Sequence, residues 1–261
     1  MIEPFVTPWG NRLQSFARLD STSRYLWRQG EAGAESGQVA VAATQTAGRG
    51  RRGRSWHSPP GLNLYFSILL RPCLDFAKVP QLSLVVGVAL WRALARELSR
   101  LTIKWPNDIF CKDRKLAGIL AEMKPGVNGP EFVVLGIGLN VNARALDYPE
   151  ALRPLVTSLR IETGTEYDLG ALLQQLLVEI ADCERIYQQE GLGQQLSTLI
   201  NRNFYLAGRD VVLLSGEQRY GGRVRAIDAC GRLLVSGRDG STRCFSAGEV
   251  QLEKQPYNIS E

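Results

Sequence analysis

Apolar residues recur along this chain with two periods, and the change from one to the other marks its organisation. Asp20-Ser21-Thr22-Ser23 followed by RYLWRQG predicts a helix with a hydroxyl N-cap, ending near Gly30. QVAVAATQT then predicts a strand, and LNLYFSILL a second one after a polar, glycine-rich interval. From Pro80 to Ser99 the apolar positions predict a long helix, with Pro80 suited to its first turn. LTIKW and IFC predict a hairpin around Pro106-Asn107-Asp108, and KLAGILAEM and EFVVLGIGLNVN two further strands. In DLGALLQQLLVEIADCERIYQQEG leucines recur at helical spacing between a capping Asp168 and a terminating Gly191. Beyond residue 205 the texture becomes short strands separated by glycine turns, the pattern of a small β-barrel. The expected organisation is a mixed α/β domain over residues 1–204 and a barrel over residues 205–261, packed together because no low-complexity linker separates them.

Composition narrows the function classes. With 261 residues, 44% hydrophobic and 22% charged, the chain is long and apolar enough for a real core. No uninterrupted apolar run reaches about 18 residues and the N-terminus has no basic-then-apolar leader, so a cytoplasmic protein with no membrane partner is expected. The five cysteines are scattered and never form C-x-x-C, and His57 is the sole histidine, which argues against a disulfide framework and a zinc or multi-histidine site. Net charge is +5, and Arg49, Arg51, Arg52 and Arg54 supply +4 of it, leaving +1 elsewhere. Nucleic-acid binders spread basic charge over a face, whereas one cationic loop suits a small polyanion.

That loop, AGRGRRGRSW, fits three motifs on paper. It reads as GxGxxG through Gly48, Gly50 and Gly53, as a Walker A loop with arginine in place of lysine, and as an arginine patch. Both nucleotide-fold motifs need a helix next, but Pro59-Pro60-Gly61 intervenes and the following element is a strand. Four crowded cations repel one another, so the loop is expected to be disordered until a phosphate-bearing ligand orders it, its glycines turning backbone amides inward.

Two further constellations carry chemistry. In VLGIGLNVN, Gly136, Gly138, Asn140 and Asn142 fall on one strand face, leaving backbone against which a flat ligand could lie; a bulge or a close helix contact reads equally from the pattern. In KWPNDIFCKDRKLAGIL, Lys104 and Asp108 flank a turn, Lys115 opens the next strand and Gly118 follows. Lys115 is suited to bridging a carboxylate and a phosphate, and Asp108 with Asn140 are oxygen donors of the kind that suit magnesium on a triphosphate. The bland alternatives are a solvated lysine, an aspartate bonding its own turn, and Ser21 and Thr22 as helix caps alone.

The ordered set of LDST, Gln45, GRGRRG with Trp56, KWPND, RKLAGIL and GIGLN resembles the biotin protein ligases over nearly the whole chain. The resemblance implies an α+β catalytic domain like class II aminoacyl-tRNA synthetase cores with an SH3-like C-terminal barrel. It implies ATP and biotin as substrates with Mg2+, a biotinoyl-5′-AMP intermediate, and transfer to a lysine of a biotin carboxyl carrier protein of acetyl-CoA carboxylase. Carried over by motif, Ser21, Thr22, Gln45, Gly48, Arg49, Arg51, Lys115, Gly118 and Gly136 would contact biotin. Arg51, Arg52, Arg54, Trp56, Lys104, Asn107, Asp108, Lys115 and Asn140 would contact ATP, with Arg49, Arg51 and Lys115 in the chemistry. Some members begin with a DNA-binding helix-turn-helix domain; here Ser21-Thr22 comes too early for one, so no DNA partner is expected. Dimers through sheet edges are common among such enzymes, which keeps a homodimer open. A lipoate or octanoate ligase shares the fold and chemistry but lacks the arginine loop; a nucleic-acid arm and a decayed adenylate-binding regulator are the remaining rivals.

Overall fold

The computed structural model describes residues 1–216, 218–237 and 239–252. The part of the expected barrel that falls on residues 217, 238 and 253–261 lies outside the described residues. The fold is α+β, with a seven-stranded mixed sheet and a smaller five-stranded antiparallel one.

The large sheet is built from β1 (Gln14–Phe16), β2 (Gln38–Ala42), β3 (Leu64–Leu70), β4 (Leu101–Lys104), β5 (Asp108–Cys111), β6 (Arg114–Pro125) and β7 (Pro130–Leu139). Their spatial order is β1-β2-β3-β7-β6-β5-β4, parallel only between β1 and β2. The middle strands are buried on both faces: every residue of β3 is buried, which explains its nearly continuous apolar sequence. Helix α1 (Thr22–Glu31) covers one face through Leu26, packed with Leu69, Phe132 and Val134. On the other face lie α2 (Gln81–Leu94) and α4 (Leu169–Glu190), whose leucines join the main core.

Each helix boundary has a local cause. The Asp168 carboxylate accepts from Ala171 N at 2.8 Å, and Gly191 follows the last residue with φ +66°. Helix α2 stops at Leu94, five residues before the expected Ser99; the next residues form turns that bury Leu98. Within Phe76–Leu94 the apolar composition alone would suit a bilayer, but 72% of that window is buried inside the protein, as in a core helix. The three-residue β1 and five-residue α3 (Leu159–Thr163) are too short to show a period, and the amphipathic α5 (Gln194–Arg202) was not among the elements expected from the sequence.

The smaller sheet holds β8 (Asp210–Ser215), β9 (Gln218–Ile227), β10 (Leu233–Ser236), β11 (Thr242–Phe245) and β12 (Glu249–Leu252), ordered β11-β10-β9-β8-β12. It packs directly on the larger part of the chain. Trp105 Nε1 donates to Gly231 O at 3.0 Å, Gln81 Nε2 to Cys230 O at 3.0 Å, and Asn201 Nδ2 to Ile227 O at 2.9 Å. Val211, Leu213 and Val235 belong to the same apolar core as α2.

Leu176, at 0% exposure on α4, reports on this packing. Leu176→Ala is expected to lower unfolding stability by about 3 kcal/mol in urea titration; a loss under about 1 kcal/mol would place the α2–α4 contact outside the stabilising core.

Candidate active site

One cavity of about 300 Å³ lies at the large sheet beneath the arginine loop. It gathers Ser21, Thr22, Gln45, Arg49, Arg51, Arg52, Arg54, Trp56, Lys104, Asn107, Asp108, Lys115, Gly118, Gly136 and Asn140 on its lining. Of the sixteen residues singled out from the sequence only Gly48 is absent, and it sits behind the wall. A Cβ there would lie 2.9 Å from Trp56 O and 3.0 Å from Gln45 Nε2.

One end of the cavity is a linked set of polar groups. The backbone N–H of Thr22 donates to Gln45 Oε1 at 2.9 Å, and the Thr22 hydroxyl reaches the same oxygen at 3.2 Å. That hydroxyl also meets Ser67 Oγ at 2.7 Å, which meets Ser23 Oγ at 3.0 Å. Ser21 caps α1, its oxygen accepting from Arg24 N at a long 3.5 Å, and also lines the cavity. The capping and site readings of this motif therefore hold together. Ser67, at 0% exposure, was missed by sequence reasoning, although it is the one polar residue in LYFSILL. Buried hydroxyls are retained where they find partners.

The floor is bare backbone. A Cβ at Gly138 would lie 2.4 Å from Trp56 Cε2, one at Gly118 2.8 Å from Trp56 Cζ3, and one at Gly136 2.4 Å from Ser23 Oγ. These strands therefore need glycine for close approach, as the pattern suggested. The far end of the motif departs from it. Strand β7 ends at Leu139, and the Asn140 and Asn142 amides turn to the backbone, donating to Thr157 O at 2.9 Å and Tyr167 O at 2.8 Å. Asn140 borders the cavity but its NH2 group is committed to holding the following loop. Trp56 Nε1 is covered and has no acceptor; an unmet buried donor costs about 1–3 kcal/mol, which an acceptor on a ligand would relieve.

Charge concentrates at the other end. Lys115 Nζ lies 2.7 Å from Asp108 Oδ1 and 5.2 Å from the Trp56 ring centroid. The lysine–aspartate contact has ion-pair distance without hydrogen-bond angles, since that oxygen has no hydrogen-bond donor. Lys104 Nζ lies over the Phe110 ring at 4.4 Å, and burial pushes its pKa below the ordinary lysine value, opposed by Asp108. Burial likewise lowers Arg51, again opposed by Asp108. Arg51 is held by Asn107, whose Oδ1 accepts from Arg51 Nη1 at 3.1 Å while its Nδ2 donates to Ile119 O at 2.7 Å. Three desolvated cations thus face one carboxylate, an arrangement that lowers the cost of bringing in an anion. Among the described residues no three His, Cys, Asp or Glu side chains converge as a metal cage.

The arginine loop is ordered, contrary to the expectation of disorder without an anion. It folds as a hairpin: Gly50 N donates to Arg54 O at 2.7 Å and Trp56 N to Gly48 O at 2.9 Å. At its tip Arg52 has φ +56° and Gly53 +73°; for Arg52 that left-handed conformation costs about 1–2 kcal/mol. Protein carboxylates take the place of the expected anion. Arg49 pairs with Glu122 at 3.2 Å, and Arg52 and Arg54 pair with Glu249 of β12 at 3.0 and 2.5 Å. Arg52 and Arg54 are therefore occupied by the smaller sheet, and Arg51 is the loop cation held at the cavity by Asn107. His57, given no role from sequence, reaches Asp147 O at 3.1 Å.

Comparison with known proteins decides the family. Residues 15–140 match the biotin/lipoate A/B protein ligase family, and residues 207–252 match the biotin protein ligase C-terminal domain. The bifunctional ligase/repressor BirA of Escherichia coli is 36% identical over 236 residues, 90% of this chain and 72% of that protein. The chain belongs to the biotin protein ligase family. A biotin–[acetyl-CoA-carboxylase] ligase of Paracoccus denitrificans is 33% identical over 241 residues, 90% of this chain and 98% of that one. Among solved structures, the biotin protein ligase from Aquifex aeolicus in complex with biotin and ATP superimposes with TM-score 0.81 at 31% identity, covering 93% and 99% of the two chains. The family's architecture accounts for both sheets described here.

The glycine floor supplies a test independent of any assay of turnover. Gly138→Ala is expected to displace the Trp56 indole and weaken ligand binding by more than about tenfold in calorimetry with biotin, its far-ultraviolet dichroism unchanged. Unaltered affinity would show that the indole is not seated on the floor.

Proposed function

We propose that this chain activates biotin with ATP and transfers it to a lysine of a carrier protein. The observation that carries the reading is the joining, in one cavity, of a hydroxyl–amide end, a glycine floor and a cationic end under a closed arginine loop. A bicyclic ureido compound offers both donors and acceptors, which Ser21, Thr22 and Gln45 on the cavity lining can match, with Ser67 holding the Thr22 hydroxyl from behind. Its carboxylate then lies toward Lys115 and Arg51. One carboxylate oxygen attacks the α-phosphorus of ATP, the bond to the β-phosphate oxygen breaks, and pyrophosphate leaves. The carrier lysine, as free amine, next attacks the acyl carbon of the mixed anhydride; an amide forms and AMP leaves with the anhydride oxygen.

In this scheme Lys115 spans carboxylate and α-phosphate, stabilising charge as the new bond forms. Asp108 holds Lys115 in place at 2.7 Å. Arg51 covers the adenylate, and Trp56 and the floor glycines confine it away from water, which a mixed anhydride requires. Lys104 and Asn107 take the nucleotide side, the latter through Arg51. Magnesium enters on the phosphates of ATP, since the residues here offer single oxygens rather than a cage. The acceptor expected from the family is the biotin carboxyl carrier protein of acetyl-CoA carboxylase. The full GRGRRG run favours biotin over lipoate or octanoate.

Exchange of labelled pyrophosphate into ATP is expected with biotin and not with lipoate or octanoate. Exchange driven by lipoate instead would keep the mechanism and replace the substrate; none with any acid would sink the ligase reading. Lys115→Ala is expected to slow adenylate formation by about 10²–10³-fold, read in a single-turnover quench. Adenylation at the unaltered rate would remove Lys115 from the chemistry.

A further inference from the structure

We propose that Glu249 is a positioning residue of the ligation reaction, acting through Arg52 and Arg54 to hold the arginine hairpin closed from the smaller sheet. This rests on the adenylate-forming reading above.

The geometry is a two-pronged clamp. Arg52 Nη1 donates to Glu249 Oε2 at 3.0 Å and Arg54 Nη2 to Oε1 at 2.5 Å, so each carboxylate oxygen serves a different arginine. Arg52 sits in the turn of the hairpin with φ +56°, and Arg54 follows the turn. Glu249 is fixed from behind, because β12 pairs with β8 in the register Glu249↔Leu214. Both arginines hold its carboxyl below the ordinary glutamate range, so it stays ionised at neutral pH. The remaining charges on the hairpin have other partners: Arg49 meets Glu122 of β6, and Arg51 meets Asn107. The loop is thus pinned to β6 at its base and to β12 at its tip.

Without Glu249 the tip would carry two adjacent unneutralised cations beside Arg51, and repulsion would favour opening. The smaller sheet is therefore the outer half of the lid. Its contribution is retention of the adenylate rather than contact with the reacting atoms. Because the arginine side chains are 48% and 68% exposed, the clamp is of moderate strength and sensitive to salt.

The experiment compares the full-length chain with Glu249→Gln, which removes the charge and one acceptor oxygen, and with Glu249→Asp, which keeps both. Amide hydrogen exchange over residues 47–56, without ligand, is expected to be about three to five times faster in Glu249→Gln and largely restored in Glu249→Asp. Raising salt to about 1 M, where charges are screened beyond about 3 Å, should speed exchange in the unaltered chain by a larger factor than in Glu249→Gln, which keeps only the Arg49–Glu122 pair. After biotin and ATP are added, the rate of adenylate release measured by rapid gel filtration should follow the same order. Equal exchange over 47–56 in all three proteins would overturn the proposal, as would equal adenylate release from them. The exchange arm needs no substrate, so a failure of biotin activation would appear in the pyrophosphate assay and leave the clamp scored on its own.

Discussion

The whole site depends on neutralising crowded positive charge. Lys104, Lys115 and Arg51 are brought to one end of a cavity that already desolvates them, and three more arginines sit in the loop above. Such a group is self-repelling unless carboxylates are placed among it, and the fold places three. Asp108 lies inside the cavity, Glu122 at the base of the hairpin and Glu249 at its tip. Each comes from a different strand, so a charge problem created over a short stretch is solved by residues distant in sequence. The compensation is incomplete on the cavity side, and that residual positive potential is what a carboxylate and a triphosphate respond to.

The large sheet makes this arrangement rigid. Strands β6 and β7 pair over most of their length and carry Lys115, Gly118, Glu122, Gly136 and Gly138 in fixed register, Gly118 lying directly opposite Gly138. The lid needs a different kind of element, and the hairpin provides it: three backbone hydrogen bonds, a strained tip and side-chain tethers. A precise floor under a loop held mainly by charge fits a reaction that must admit two substrates, exclude water, and then expose an activated acyl group to a protein.

Much of this was legible in the sequence because it was written in local patterns. The helix from Asp168 to Gly191 has cap, leucine period and glycine stop in one stretch, and the structure reproduces it. The glycine face was legible because alternation in a strand fixes which residues share a side. Asn142 shows where that inference failed: the alternation was extrapolated beyond Leu139, where the strand has ended, and while Asn140 still borders the cavity, the Asn142 amide turns away to Tyr167 O. The disorder expected for the arginine loop failed for a related reason. Local repulsion was read correctly, but the partners Glu122 and Glu249 lie far along the chain and have no local signature. Ser67 had such a signature, as the one serine inside a strand otherwise made of aliphatic and aromatic residues.

The bare floor has a consequence for how substrate choice could change within this scaffold. Side chains at positions 118, 136 and 138 would meet Trp56 or Ser23 at 2.4–2.8 Å, so a single substitution there forces a neighbouring side chain to move. A redesign toward a different acid is better placed in the end wall, where Ser21, Thr22 and Gln45 line the cavity. The scaffold therefore separates two properties that are mixed in many enzymes. One is the shape of the floor, held by bare backbone, and the other is the set of polar side chains on the end wall.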